Sequence, residues 1–235
     1  MGPVSIHAPG LGELATRRFA AVLFDLDGTL IDSTSVVDRC WRQWALEWAL
    51  PDFVVVHGVP ARQVLADVVP ADQVEAAFAR IEQLEVAELD GITILPGARA
   101  ALAAVGADRS AIVTSGTRPL AHARLRYTGL PAPEVVITPE DTPVGKPHPD
   151  PYLAAARRLG VDPRDCLVVE DAPAGLAAAL SAGCRRLGLT STHERAELVA
   201  DAVADSLADV ELVRDGDSLV LRPAVVPAQG VGRGR

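Results

Sequence analysis

Several short stretches of the chain are almost continuously apolar: residues 19–28 (FAAVLFDLDG), 110–116 (SAIVTSG), 134–138 (EVVIT), 165–171 (DCLVVED) and 185–189 (RRLGL). Strands covered by helices on both faces read this way, because neither side of the pleat meets water. Between them lie alanine-rich segments with helical spacing, over roughly 97–105, 117–128, 150–160 and 173–182. Strand and helix in alternation predict an α/β fold with a doubly wound parallel sheet.

One segment interrupts the alternation. From residue 31 to 95 no strand is evident, and helical periodicity runs through 36–50, 60–68 and 71–90. This predicts an α-helical domain, 31–95, inserted into a core made of 19–30 and 96–222. Trp41, Trp44 and Trp48 are three and four residues apart on the first of these helices, so they share one face and predict the small domain's core. The chain crosses between domains at residues 30–32 and 90–97, where Gly91, Pro96 and Gly97 suit a hinge. Residues 210–223 alternate on either side of Asp215-Gly216 and predict a hairpin near a sheet edge. Residues 1–18, with Gly2, Pro3, Pro9, Gly10 and Gly12, read as a flexible leader, and 223–235 as a flexible tail.

Composition narrows the class. A chain of 235 residues, 49% hydrophobic and 23% charged, supports one or two domains with a real core. A formal charge of −9 argues against nucleic acid and anionic membranes as partners, since both are held by dense positive patches. Cys40, Cys166 and Cys184 are scattered, without metal-ligand or disulfide spacing, and read as buried thiols in a reducing compartment. No apolar run reaches the ~18–20 residues of a membrane span, and the N-terminus lacks signal-peptide order. A cytoplasmic protein, monomeric or weakly dimeric, is expected. Of 22 Lys and Arg residues only Lys146 is a lysine.

Four clusters carry candidate chemistry, each at the C-terminal end of a predicted strand, where doubly wound folds bind ligands. Asp25 and Asp27 pair a nucleophile with an acid/base, and Gly28 lets the chain turn away sharply. Ser115, Gly116 and Thr117 open a helix, offering a hydroxyl and free N–H groups to an anion or simply capping the helix. Lys146 stands in a loop stiffened by Pro147, Pro149 and Pro151, in a chain that elsewhere uses arginine, which suggests a need for a compact ammonium. Glu170 and Asp171 repel one another unless a cation, or the start of the next helix, relieves them.

The order Asp-x-Asp, Ser, Lys, Glu-Asp resembles the four motifs of the haloacid dehalogenase-like (HAD) hydrolase superfamily, over residues 19–222. The insert after the first motif resembles the α-helical cap of the subgroup that holds sugar phosphatases, phosphoglycolate phosphatase and β-phosphoglucomutase. The stretches VTSGTRPLAHAR (113–124), GLPAPEVVIT (129–138) and GITILPGA (91–98) look most like bacterial sugar phosphatases and the 2-deoxyglucose-6-phosphate and glycerol phosphate phosphatases.

The resemblance implies a Rossmann-like core, a small phosphorylated metabolite as substrate, and Mg²⁺ as cofactor. It makes Asp25 the nucleophile and Asp27 the leaving-group acid, and Ser115, Gly116 and Lys146 the phosphate grip. The metal would be held by Asp25, Asp27 (through its carbonyl), Glu170 and Asp171. His57, Gly58 and Arg62 are candidates for substrate selection from the cap. Haloacid dehalogenases have no leaving-group acid, so Asp27 favours phosphoryl transfer. Phosphonoacetaldehyde hydrolases and β-phosphoglucomutases use a cap lysine, and 31–95 contains none. A sugar or polyol phosphatase is the expectation, with a mutase, a phosphoglycolate phosphatase and a non-catalytic binding protein as alternatives.

Overall fold

In the computed structural model, which describes residues 11–55 and 60–224, the first predicted strand is β1 (Ala21–Phe24), fully buried along its length. The insert follows as β2 (Ile31–Asp32), α1 (Thr34–Glu47), α2 (Ala61–Val68), α3 (Val74–Ala87) and β3 (Thr93–Ile94). The alternation then resumes with α4 (Ala98–Val105), β4 (Ser110–Val113), α5 (Arg118–Thr128), β5 (Val135–Ile137), α6 (Asp150–Leu159), β6 (Cys166–Glu170), α7 (Pro173–Ser181), β7 (Arg185–Leu189) and β8 (Ala202–Ala204). A hairpin of β9 (Val210–Asp215) and β10 (Ser218–Pro223) closes the described chain.

The main sheet has six parallel strands in the order β5-β4-β1-β6-β7-β8. The chain builds outward from β1 to β4 and β5, then returns to the other side of β1 for β6. Loops leaving β1, β4 and β6 therefore diverge and leave a crevice at their C-terminal ends. Alternate residues serve the two faces. Val22, Phe24, Ile112, Leu167 and Val169 join the core that continues into the insert, while Ala21, Leu23, Ala111, Val113 and Val168 pack with Tyr152, Ala155 and Ala178 from α6 and α7.

The insert is stapled to the core where its two crossings meet. Ile31 pairs with Ile94 and Asp32 with Thr93, antiparallel. The expectation of no strand in 31–95 is corrected here, because two residues are too few to show a periodicity. Trp41 and Trp44 are buried and Trp48 partly so. Trp44 stacks on Trp48 and Trp41 on Phe53, both with centroids 5.5 Å apart, contacts worth about 0.5–1.5 kcal/mol beyond area burial. The Trp44 indole N–H also donates to the Ala77 carbonyl at 3.1 Å, tying α1 to α3.

Three further expectations change. One sheet edge is β8, a three-residue strand too short to stand out in the sequence, and the other is β5. The hairpin is a separate two-stranded sheet packed on α4, joined to the core through paired Phe19 and Leu219. Residues 11–18 are packed rather than loose: Leu11 and Leu14 are buried, and a 3-10 turn at Leu14–Thr16 lies against β10. Pro223, the first residue assigned to the tail, ends β10. All three cysteines are free and buried. Among the described residues no helix is long and apolar enough to cross a membrane.

Candidate active site

The four sequence clusters converge on the crevice. Lys146, at the centre of one corner, is 7% exposed and spends all three of its N–H donors. Its Nζ lies 2.6 Å from Asp25 Oδ1, 2.7 Å from Glu170 Oε1 and 2.8 Å from the Val113 carbonyl. Burial alone would pull the ammonium down, yet Asp25 and Glu170 hold it above its ordinary range. Glu170 is satisfied on both oxygens: Oε1 also accepts from the Tyr152 hydroxyl at 3.0 Å, and Oε2 from the Asp171 and Ala172 N–H groups, each at 3.0 Å. Asp171 accepts from the Thr29 hydroxyl at 3.0 Å and from the Thr192 hydroxyl.

Two glycines make this corner possible. Gly28 has φ +87°, and a Cβ on it would lie 2.2 Å from Asp171 Oδ2. A Cβ on Gly175 would lie 1.7 Å from Glu170 Oε1, so only glycine lets α7 approach that carboxylate.

Asp25, Glu170 and Asp171 are all buried, and each offers a carboxylate oxygen within 4.8 Å of the others. Burial, and then repulsion by Glu170 and Asp171 against the pull of Lys146, raises the Asp25 carboxyl well above its usual range. Burial and Glu170 push Asp171 up to about 7. Three carboxylates facing one ammonium leave negative charge uncompensated, and the donor set is hard oxygen. A small divalent cation such as Mg²⁺ fits both conditions.

The second corner begins at Asp27. Its Oδ1 accepts from the Ser33 hydroxyl at 2.8 Å and from Arg124 Nη1 at 2.8 Å. Arg124, on α5, is 3% exposed, and its Nη2 lies 3.7 Å from Glu85 Oε1 on α3, too far for a hydrogen bond. Nε and Nη2 of Arg124 have no hydrogen-bond partner. Glu85 is 9% exposed, and burial pushes its carboxyl up to about 7 against the pull of Arg124.

Asp25, Asp27, Ser115, Gly116, Lys146, Glu170 and Asp171 all line one chamber of about 200 Å³, roofed by Val37, Trp41 and Glu85 of the insert. Ser115 is exposed at its mouth. The Gly116 N–H donates to Thr114 Oγ1 at 3.0 Å, and the Arg118 N–H at the start of α5 is taken by Glu140 at 3.1 Å. The helix opening is thus partly satisfied from within. Arg62 pairs with Glu75, sits 3.9 Å over the Phe78 ring, and lines an adjoining cavity of about 560 Å³ that Glu85, Ser115, Gly116 and Lys146 also line. His57 and Gly58 lie outside the described residues.

Sequence reading missed Thr29, Ser33, Glu85, Arg124, Tyr152 and Thr192. Arg124 alone carried a signal, being an arginine beside Leu120, Ala121 and Leu125 on the buried face of its helix.

Carboxylates crowded around one ammonium destabilise a fold unless a ligand offsets their repulsion, so the crevice marks an α/β enzyme rather than a structural domain. The chain belongs to the haloacid dehalogenase-like hydrolases, whose family model matches residues 19–183. It is 42% identical to hexitol phosphatase A of Escherichia coli (strain K12), across 86% of this chain and 99% of that protein. It is 34% identical to glycerol-1-phosphate phosphohydrolase 2 of Saccharomyces cerevisiae (strain ATCC 204508 / S288c), across 74% of this chain and 76% of that one. A solved HAD family hydrolase from Deinococcus radiodurans R1, with bound phosphate and sodium, aligns at a TM-score of 0.60 and 32% identity, covering 81% of this chain and 92% of that one.

Proposed function

We propose that the protein is a Mg²⁺-dependent phosphatase that hydrolyses phosphate monoesters of small sugars or polyols through an aspartyl-phosphate on Asp25. The observation that carries the reading is the Asp25 carboxylate, paired with Lys146 at 2.6 Å in the chamber that also holds Asp27. The 42% identity to a hexitol phosphatase over nearly that protein's whole length supports the substrate class.

Asp25 attacks phosphorus in line, the bond to the alcohol oxygen breaks, and Asp27 gives that oxygen its proton. Asp27, now anionic, then takes a proton from water as the water attacks the phosphoryl group, which releases inorganic phosphate and restores Asp25. Ser115 holds a phosphoryl oxygen, and the Lys146 ammonium, its N–H groups held by Asp25, Glu170 and Val113, offsets the charge that develops beside it. Asp25, Asp171 and the Asp27 carbonyl would hold the Mg²⁺, which supplies positive charge that lets one anion approach another. Glu170 serves instead to anchor Lys146 and the turn after β6, because each of its oxygens already accepts two hydrogen bonds, whereas each oxygen of Asp171 accepts one. The helical insert acts as a cap that excludes bulk water over the chamber.

A mutase needs a grip on a second phosphate, and the only cations lining the chamber among the described residues are Lys146 and Arg124. The test is phosphate release from p-nitrophenyl phosphate and a panel of sugar phosphates. Activity is expected with Mg²⁺ and lost with EDTA. Asp25→Asn is expected to lower turnover by about 10³-fold or more while the melting temperature holds. Retained turnover in that variant would overturn the mechanism.

A further inference from the structure

The chamber has two chemically different walls. Around Lys146 every donor is spent. Beside Asp27, by contrast, Arg124 keeps Nε and Nη2 without partners although the residue is 3% exposed. A guanidinium buried with open N–H groups is costly unless a ligand completes it. The facing carboxylate of Glu85, itself 9% exposed, stands 3.7 Å from Nη2 across a gap that no described hydrogen bond closes.

We infer that Arg124 and Glu85 form a subsite that reads hydroxyl groups on the alcohol half of the substrate. The inference rests on the phosphatase reading and narrows its substrate to the monophosphate of a small, neutral, polyhydroxylated alcohol. Position supports it: Arg124 is bonded to Asp27, the leaving-group acid, so whatever oxygen Asp27 protonates belongs to a group lying alongside the pair. Donor and acceptor supply the rest. A hydroxyl is both, and a guanidinium edge beside a carboxylate can donate to one hydroxyl oxygen and accept from the next.

The same pair selects against charged alcohols. A carboxylate or second phosphate on the leaving group would face Glu85 and Asp27 with no further cation among the described lining residues to receive it.

The test compares a hexitol 6-phosphate with a hydroxyl-free alkyl phosphate of equal length, since both alcohols are poor leaving groups and lean equally on Asp27. Phosphoglycolate and p-nitrophenyl phosphate complete the panel. With Glu85→Leu, kcat/KM for the hexitol phosphate is expected to fall about 10- to 100-fold, mainly through KM, while the alkyl phosphate changes less than about 3-fold. Glu85→Gln, which keeps a hydrogen-bonding carbonyl and guards against misfolding, is expected to fall between wild type and Glu85→Leu. Phosphoglycolate is expected to gain relative to the hexitol phosphate. Equal losses on the hexitol and alkyl phosphates would overturn the inference and leave Glu85 a support for Arg124, as would no loss on either. Wild-type enzyme inert toward p-nitrophenyl phosphate with Mg²⁺ would instead overturn the phosphatase reading, and the subsite with it.

Discussion

The two walls of the chamber differ in how completely they are bonded. The Lys146 corner is a closed network, in which the ammonium, Glu170 and Asp171 meet donors or acceptors from β4, α6, β6 and the loops after β1 and β7. The Arg124 corner is incompletely bonded: the buried guanidinium is hydrogen-bonded to Asp27 and faces Glu85 at 3.7 Å, and its Nε and Nη2 lack hydrogen-bond partners. A closed network holds reacting groups in one geometry, whereas an open one can recognise a ligand because it is incomplete without it. The closed network lies in the core, and the incompletely bonded one at the junction of core and insert.

Breaking the closed corner should cost most. Lys146→Met leaves Asp25 and Glu170 buried without their cation, and a loss of about 3 to 5 kcal/mol is expected at pH 8 without divalent metal. The loss should shrink toward pH 5, as the Asp25 carboxyl, raised by burial, takes up a proton. Urea denaturation at both pH values checks this, and a pH-independent loss would mean that packing, rather than charge, dominates the corner.

Gly175→Ala tests the same network from behind. Its Cβ falls on Glu170 Oε1 at 1.7 Å, so α7 or the carboxylate must shift. A loss of about 2 to 3 kcal/mol is expected, with activity reduced because Lys146 loses its anchor. Wild-type stability in this variant would show that the corner is looser than its bonding implies.

The open corner should give the smallest effect and the opposite sign. Burial raises Glu85 from 4.5 to about 7, so the folded protein keeps a proton that the unfolded chain has released. The group's contribution is therefore complete below about pH 4.5 and is lost as pH rises through 7. Glu85→Gln removes that dependence and should gain about 2 kcal/mol on wild type between pH 5 and pH 8. A difference that stays constant across this range would mean that Arg124 keeps Glu85 ionised throughout.

Legibility followed the same divide. Asp25, Asp27, Ser115, Lys146, Glu170 and Asp171 could be read because each follows a strand, and the alternation of apolar runs locates strand ends without knowing what packs beside them. Glu85 could not, being a single charged residue on a helix where charge usually means a solvated face, and Arg124 offered only its place among the apolar residues of α5. Arg62 drew interest by its place in the insert, and the fold sets it against Glu75 and Phe78 on a cavity that Ser115 and Lys146 also line.

The sequence by itself determined the parallel core, the helical interruption and the chemical inventory of the crevice, because strand periodicity and strand-end motifs are local properties of the chain. Only the tertiary structure decided that Thr29 bonds Asp171 across 142 residues, that Glu170 is saturated, and that Arg124 meets both Asp27 and Glu85. Those facts depend on which elements pack together and on which donors burial leaves without water, and neither is written in the spacing of residues along the chain.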